Sequence, residues 1–221
     1  MSTTPTSKAL EGEWNGFVFR LATDEDFPKI SDLLRDNFFT SEPLTVLWGT
    51  SEEYERDVDM MCRAMLGDNL SFLALDAATN EVAGVRLNFH NARESQPAPP
   101  TNQNAKRITY LLRLLNEKSQ LFDTYKIEEF ANLFTTCVHK NYRQRGLVTE
   151  IYRRTIALTR ERGYFLAMAT FTNPFSRAGA AKVGFQELAR IPLKGLKDED
   201  GEELAPGASD DFCITQAVYI L

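Results

Sequence analysis

Arg143-Gln-Arg-Gly146-Leu-Val148 is the segment whose residue types and spacing most directly suggest chemistry. It joins an apolar run at 130–138 to a pattern in which Val148, Ile151, Tyr152, Thr155 and Leu158 share one helical face. The segment therefore reads as the turn between a buried strand and an amphipathic helix. At such a turn the first helical N–H groups lack an acceptor, and the helix dipole adds positive potential. Gly146 lets the backbone approach a ligand closely, and Arg143 and Arg145 add full charges. Together these features suit a pyrophosphate. A Walker loop needs Gly-Lys-Ser/Thr and a dinucleotide fingerprint needs three glycines, and the segment has neither. The alternative is a solvated basic loop that ends a strand.

Other reactive residue types are sparse. Cys62, Cys137 and Cys213 are far apart in apolar surroundings and read as buried, reduced thiols. With His90 and His139 as the only histidines, a zinc site or a Ser-His-Asp triad has little to build on, and no metal is expected. The 221 residues are 43% hydrophobic and 25% charged, which fits a single globular domain. Lys plus Arg total 25 against 31 for Asp plus Glu, a net charge of -6. That balance disfavours nucleic acid and anionic membrane as partners and favours small cations. No stretch reaches the roughly 18 apolar residues of a membrane span. The N-terminal residues resemble neither a signal peptide nor a myristoylation site, so the expected compartment is the cytoplasm.

The elements that must position the loop follow from periodicity. Residues 1–12 read as a disordered lead and 13–221 as one domain. A strand is expected at 17–22, and Thr23-Asp-Glu-Asp26 forms a capping box for a helix running to Phe38. Pro43 and Gly49 mark 39–49 as a loop or short turn. Thr50-Ser-Glu-Glu53 opens a second helix, followed by a hairpin of strands at 70–75 and 81–89. A loop at 91–104 leads to a helix ending near Phe122. After the strand, turn and helix at 130–162 come a strand at 164–169, a short helix from Asn173-Pro174 to Lys182, and a strand at 186–192. A charged loop at 194–210 precedes a last strand at 212–221. This order implies an α/β fold with a mixed sheet of about seven strands, not a doubly wound parallel one.

The run from Val138 through Arg143 and Gly146, then Asn173 and Gly184-Phe185, resembles the acetyl-CoA-binding half of the GCN5-related N-acetyltransferases (GNAT). Their loop reads Gln/Arg-x-x-Gly-x-Gly/Ala; Arg143 and Gly146 match, and Val148 replaces the usual small residue. The resemblance implies a single acetyltransferase domain with acetyl-CoA in a cleft between two splayed central strands. Its contacts would come from Cys137, Val138, Arg143, Gln144, Arg145, Gly146, Leu147, Val148, Asn173 and Ser176. A second stretch, Phe38-Phe-Thr-Ser-Glu42-Pro43-Leu44, is similar to the Phe-Phe-x-x-Glu-Pro-Leu motif of invertebrate arylalkylamine N-acetyltransferases. In that group the glutamate is the proposed general base, which here is Glu42. Two hydroxyl residues of the same group correspond to Thr172 and Ser176. The tyrosine that serves many relatives as general acid is Ala180 here, an absence that insect amine acetyltransferases share.

Acetyl transfer from a thioester to an amine sets requirements for these residues. An alkylammonium, with a pKa near 10, must lose a proton, and Glu42 lies among Phe38, Phe39, Pro43, Leu44 and Trp48. The thioester carbonyl needs a donor, for which the Val138 N–H is a candidate unless ordinary strand pairing uses it. Ser176 could donate to the leaving thiolate or be a helix-start hydroxyl. Thr172 contacts the cofactor or orders Glu42. Phe38, Phe39 and Trp48 line an aryl pocket or belong to the core. The acidic run at 198–203 is a solvated loop or steers a cation. The expected activity is acetyl transfer to a small arylalkylamine by a monomer. Agmatine or polyamine acetylation and non-catalytic acyl-CoA binding are the alternatives.

Overall fold

Strict alternation shapes the first strand. In β1 (Phe17–Leu21), Phe17, Phe19 and Leu21 are buried while Val18 and Arg20 are partly exposed, the period-two pattern of a strand between layers. The computed structural model describes residues 6–95 and 99–221. β2 (Phe72–Asp76) and β3 (Val82–Ala92) form the hairpin, with Asn80 at φ 60° in its turn. β4 (Glu129–Val138), β5 (Leu166–Phe171), β6 (Gln186–Pro192) and β7 (Cys213–Ile220) complete a seven-stranded sheet in the order β1-β2-β3-β4-β5-β7-β6. Every neighbouring pair is antiparallel except β4–β5. The mixed α/β sheet expected from the sequence is the one the chain forms.

Helices cover both faces. α1 (Phe27–Leu33) continues into a π turn at Leu34–Phe38, and α2 (Pro43–Trp48) and α3 (Glu52–Gly67) follow. Ile30, Leu33, Cys62 and Met65 from this group pack on Val85, Leu87 and Cys137 of the sheet. α4 (Gln103–Ser119) lies over β6 and β7, where Leu111 and Leu115 meet Leu44, Leu193 and Ile214. The helix expected to run to Phe122 breaks at Gln120, which has φ 43°, and α5 (Leu121–Tyr125) begins anew. On the opposite face α6 (Leu147–Glu161) packs Leu147 and Ile151 against Phe17, Phe72 and Val138. Beside it α7 (Pro174–Ala181) closes over Phe171 and Phe185. No helix among the described residues is long and apolar enough to cross a membrane.

Two expectations change. Of the expected disordered lead, residues 1–5 lie outside the described residues, but 7–12 pack along α6. Leu10 is buried, and Ser7 Oγ and the Ala9 N–H donate to Glu161 at 3.2 and 2.9 Å. Arg154 donates to the carbonyls of Ala9, Glu11 and Gly12. A polar segment is thus held by one apolar anchor and by capped backbone carbonyls, which composition does not report. The expected loop at 39–49 contains α2, because Glu42 caps it, Pro43 occupies its first turn and Gly49 ends it at φ 75°.

Candidate active site

β4 and β5 pair over three positions, Ala131 with Ala167, Asn132 with Met168 and Leu133 with Ala169. Beyond them β4 follows β3 and β5 follows β7, so the parallel neighbours part into a cleft. The parting starts at a bulge, where Leu87 faces Thr135 and Asn88 faces Leu133, leaving Phe134 unmatched. The His139 N–H donates to the Ala83 carbonyl at 2.9 Å. Antiparallel alternation then turns the N–H groups of Thr136 and Val138 to the unpaired edge. Cys137 differs from its neighbours. Its thiol faces α1, 3.8 Å from the Leu33 carbonyl, and burial pushes its pKa up to about 12. The contact expected at Cys137 is therefore not one its side chain makes with the cleft.

At the end of β4, Gln144 and Gly146 adopt φ 61° and 77°. The N–H groups of residues 144–148 have no acceptor among the described residues. Successive open N–H groups at a helix start form an anion cradle. Gly146 suits this position because its φ is left-handed, while an added Cβ would only reach ordinary contact with the Trp14 ring at 3.4 Å. The two arginines serve partly as scaffolding. Arg143 donates through Nε to the Val138 carbonyl at 3.2 Å and through Nη2 to the Asn37 carbonyl at 3.0 Å. Arg145 lies 4.5 Å over the Phe17 ring. Leu147 points into the core, and Val148 packs against Gly179, where an added Cβ would be 3.2 Å from Val148 Cγ1.

Glu42 stands at the start of α2. Its Oε2 accepts from the Thr45 N–H at 2.6 Å and from Thr45 Oγ1 at 2.7 Å, and its Oε1 accepts from Thr172 Oγ1 at 2.6 Å. Thr172 follows directly on β5, so this last bond ties α2 to one wall of the cleft. Tyr54, 3.5 Å from Thr45 Oγ1, has its phenol pKa raised by burial and by the Glu42 charge, with the Thr45 hydroxyl pulling the other way. No arginine or lysine among the described residues pairs with Glu42. Nearby, Gln216 faces Thr170 across β5–β7 and gives Nε2 to Asn116 Oδ1 at 3.0 Å, while its buried Oε1 has no donor among the described residues. Trp48 donates Nε1 to the Leu204 carbonyl at 2.8 Å and lies under Arg107.

On the same β5 side, Asn173 caps α7 through Oδ1, which accepts from the Phe175 N–H at 2.8 Å. Ser176 Oγ is 2.9 Å from Tyr152 Oη on α6. The acidic loop meets α4 across a groove of about 350 Å³ lined by Lys106, Arg107, Arg113 and 198–200, and Glu199 pairs with Arg113 at 2.6 Å. Its charge is thus partly answered within the chain. Sequence reasoning missed Thr45, Thr136, Tyr152 as a partner of Ser176, Gln216, and Arg86 beneath Tyr152. An arginine inside the apolar run Val82-Ala-Gly-Val-Arg86-Leu87 is a signal that could have found the last.

No protein-family model and no curated protein sequence matches the chain. Solved structures do. A yellow fever mosquito (Aedes aegypti) protein assigned by name as arylalkylamine N-acetyltransferase 7 superposes with a TM-score of 0.84 at 24% identity, over 92% of this chain and 87% of that one. Arylalkylamine N-acetyltransferase 2 from Aedes aegypti gives 0.81 at 20% identity, over 93% and 99% of the two chains. A Drosophila melanogaster polyamine N-acetyltransferase that forms N-acetylagmatine gives 0.80 at 14% identity, over 93% and 100%. The chain has the GNAT fold.

Proposed function

We propose that the protein is an acetyl-CoA-dependent N-acetyltransferase acting, as a monomer without a metal, on a small primary arylalkylamine. The observation that carries this reading is Glu42, a carboxylate fixed at the cleft by Thr45 and Thr172 and without a cationic partner among the described residues. The fold neighbours include proteins named for this activity. Acetyl-CoA supplies the acyl group as a thioester. The N–H groups of 144–148 fit its pyrophosphate, with Arg143 and Arg145 holding the loop from behind. Thr136 and Val138 offer N–H groups to its arm or its carbonyl, beside Asn173 and Ser176.

Glu42 would attract the ammonium and take its proton. The nitrogen lone pair then forms a C–N bond as the C–S bond breaks, and Ser176 or solvent returns a proton to the thiolate. Thr172 acts here by orienting Glu42, as its hydrogen bond suits. Turnover measured by thiol release against tryptamine, dopamine, agmatine, spermidine and a lysine peptide tests the reading. Aryl amines should react, and Glu42→Gln should lower kcat by about 100-fold or more while acetyl-CoA affinity stays the same. Turnover on agmatine or spermidine alone would replace the acceptor. Binding of acetyl-CoA without turnover of any of these acceptors would leave an acceptor outside the panel or a non-catalytic protein.

A further inference from the structure

β3 carries a full charge inside the sheet, beside neutral polar side chains. Arg86 is 1% exposed and lies on the α6 face, opposite Thr136 in the part of β4 that has left β5. Its Nε donates to Asn88 Oδ1 at 2.7 Å and its Nη1 to Thr136 Oγ1, while Nη2 has no acceptor among the described residues. The guanidinium sits 5.0 Å from the ring centre of Tyr152, and Tyr152 Oη is the partner of Ser176 Oγ. Burial drives the Arg86 pKa below the ordinary arginine value, yet arginine keeps its proton in such settings. The charges on the surrounding elements are engaged elsewhere. Glu150 on α6 pairs with Arg153 and Arg154, Arg177 on α7 donates to Cys213 Sγ and Thr215 Oγ1, and the Cys137 thiol faces α1.

A buried cation held by neutral groups is costly, and an apolar side chain of similar volume would cost less. Its field is also little screened. That field favours the Tyr152 oxygen turned toward the guanidinium and its hydrogen toward Ser176, leaving the Ser176 hydrogen free for the cleft. We infer that Arg86 is a positioning residue which, through Tyr152 and Ser176, stabilises negative charge on the sulfur of coenzyme A at the open edge of β4. The inference rests on the acyl-CoA reading of the cleft. It concerns the leaving group and not the acceptor.

The decisive readout, a titration of the thiol, therefore needs no acceptor. The free thiol of coenzyme A is titrated on the protein by its thiolate absorbance, for the wild type, Arg86→Met, Arg86→Lys and Tyr152→Phe. On the wild type its midpoint should fall below that of coenzyme A titrated free in the same buffer. Arg86→Met should raise it by about one pH unit or more, with Arg86→Lys between the two. Acetyl-CoA affinity should change less than about threefold and kcat should fall at least about tenfold, while Tm stays level or rises because a buried charge is gone. Tyr152→Phe, which keeps the ring and removes the relay, should reproduce part of the midpoint change. A midpoint identical in the wild type and in both Arg86→Met and Tyr152→Phe overturns the inference, as does loss of Tm and acetyl-CoA affinity in Arg86→Lys. A wild type that binds no coenzyme A removes the underlying reading and the inference with it.

Discussion

Two carboxylates at helix starts show how the same functional group is put to different ends. Asp26 accepts from both Arg20 Nη atoms at 2.6 and 2.7 Å and from the Thr23 N–H at 2.9 Å. Glu42 accepts three hydrogen bonds, from two hydroxyls and an amide, and no arginine or lysine among the described residues pairs with its charge. Burial alone would push the Asp26 pKa up, but the Arg20 and Thr23 hydrogen bonds outweigh it and hold the pKa below the ordinary range. A depressed folded pKa contributes stability that is present above the unfolded value of about 3.9 and is lost as pH falls through the folded one. Asp26→Asn should therefore cost about 1–2 kcal/mol at neutral pH, a figure kept modest because Arg20 is half exposed. Denaturant melts across pH would check this. The gap between the two proteins should close below about pH 4; a gap constant down to pH 2 would refute the assignment.

At the scale of elements, α6 and α7 touch where Val148 meets Gly179. Val148 fills the place where the resembled loop has a small residue, and Gly179 on α7 supplies the missing space. Gly179→Ala should lower stability by about 1–3 kcal/mol through overpacking, offset by up to about 1 kcal/mol of helix propensity. The same change in a Val148→Ala background should be neutral or stabilising. A double-mutant cycle isolates the pair, and a coupling near zero would show that the helices adjust without strain. This contact also shows where sequence reading stops. Strands with period-two burial, capping boxes and the glycine at 146 are local patterns, and the sheet and the loop followed from them. Pro43 and Gly49 are breakers inside a helix yet boundary residues at its ends, so the same pattern at 39–49 suits a loop or short turn as well as α2. The Glu42–Thr172, Tyr152–Ser176 and Arg86–Thr136 contacts join residues 130, 24 and 50 positions apart, and no local spacing announces them.

On the scale of the whole molecule, the sheet consists of two antiparallel halves, β1–β4 and β5–β7, joined through three parallel pairs. Each half has its own helical cover, α1 with α3 on one and α4 with α5 on the other, while α6 spans the joint on the opposite face. A ligand lying along the open edge of β4 and reaching both the loop at 144–148 and α7 would add contacts between halves that the chain itself links sparingly. Binding to the folded form alone stabilises by about 2.7 kcal/mol at a ligand concentration 100 times Kd. Hydrogen exchange with and without coenzyme A separates a local from a global effect. The amides of Thr136, Val138 and 144–148 should gain protection directly, since they have no acceptor or face the unpaired edge. Ala167 and Ala169, at the joint, should gain only the global increment set by the ligand concentration. Protection that rises at the loop while the joint stays unchanged under saturating ligand would mean that coenzyme A docks without bridging the halves.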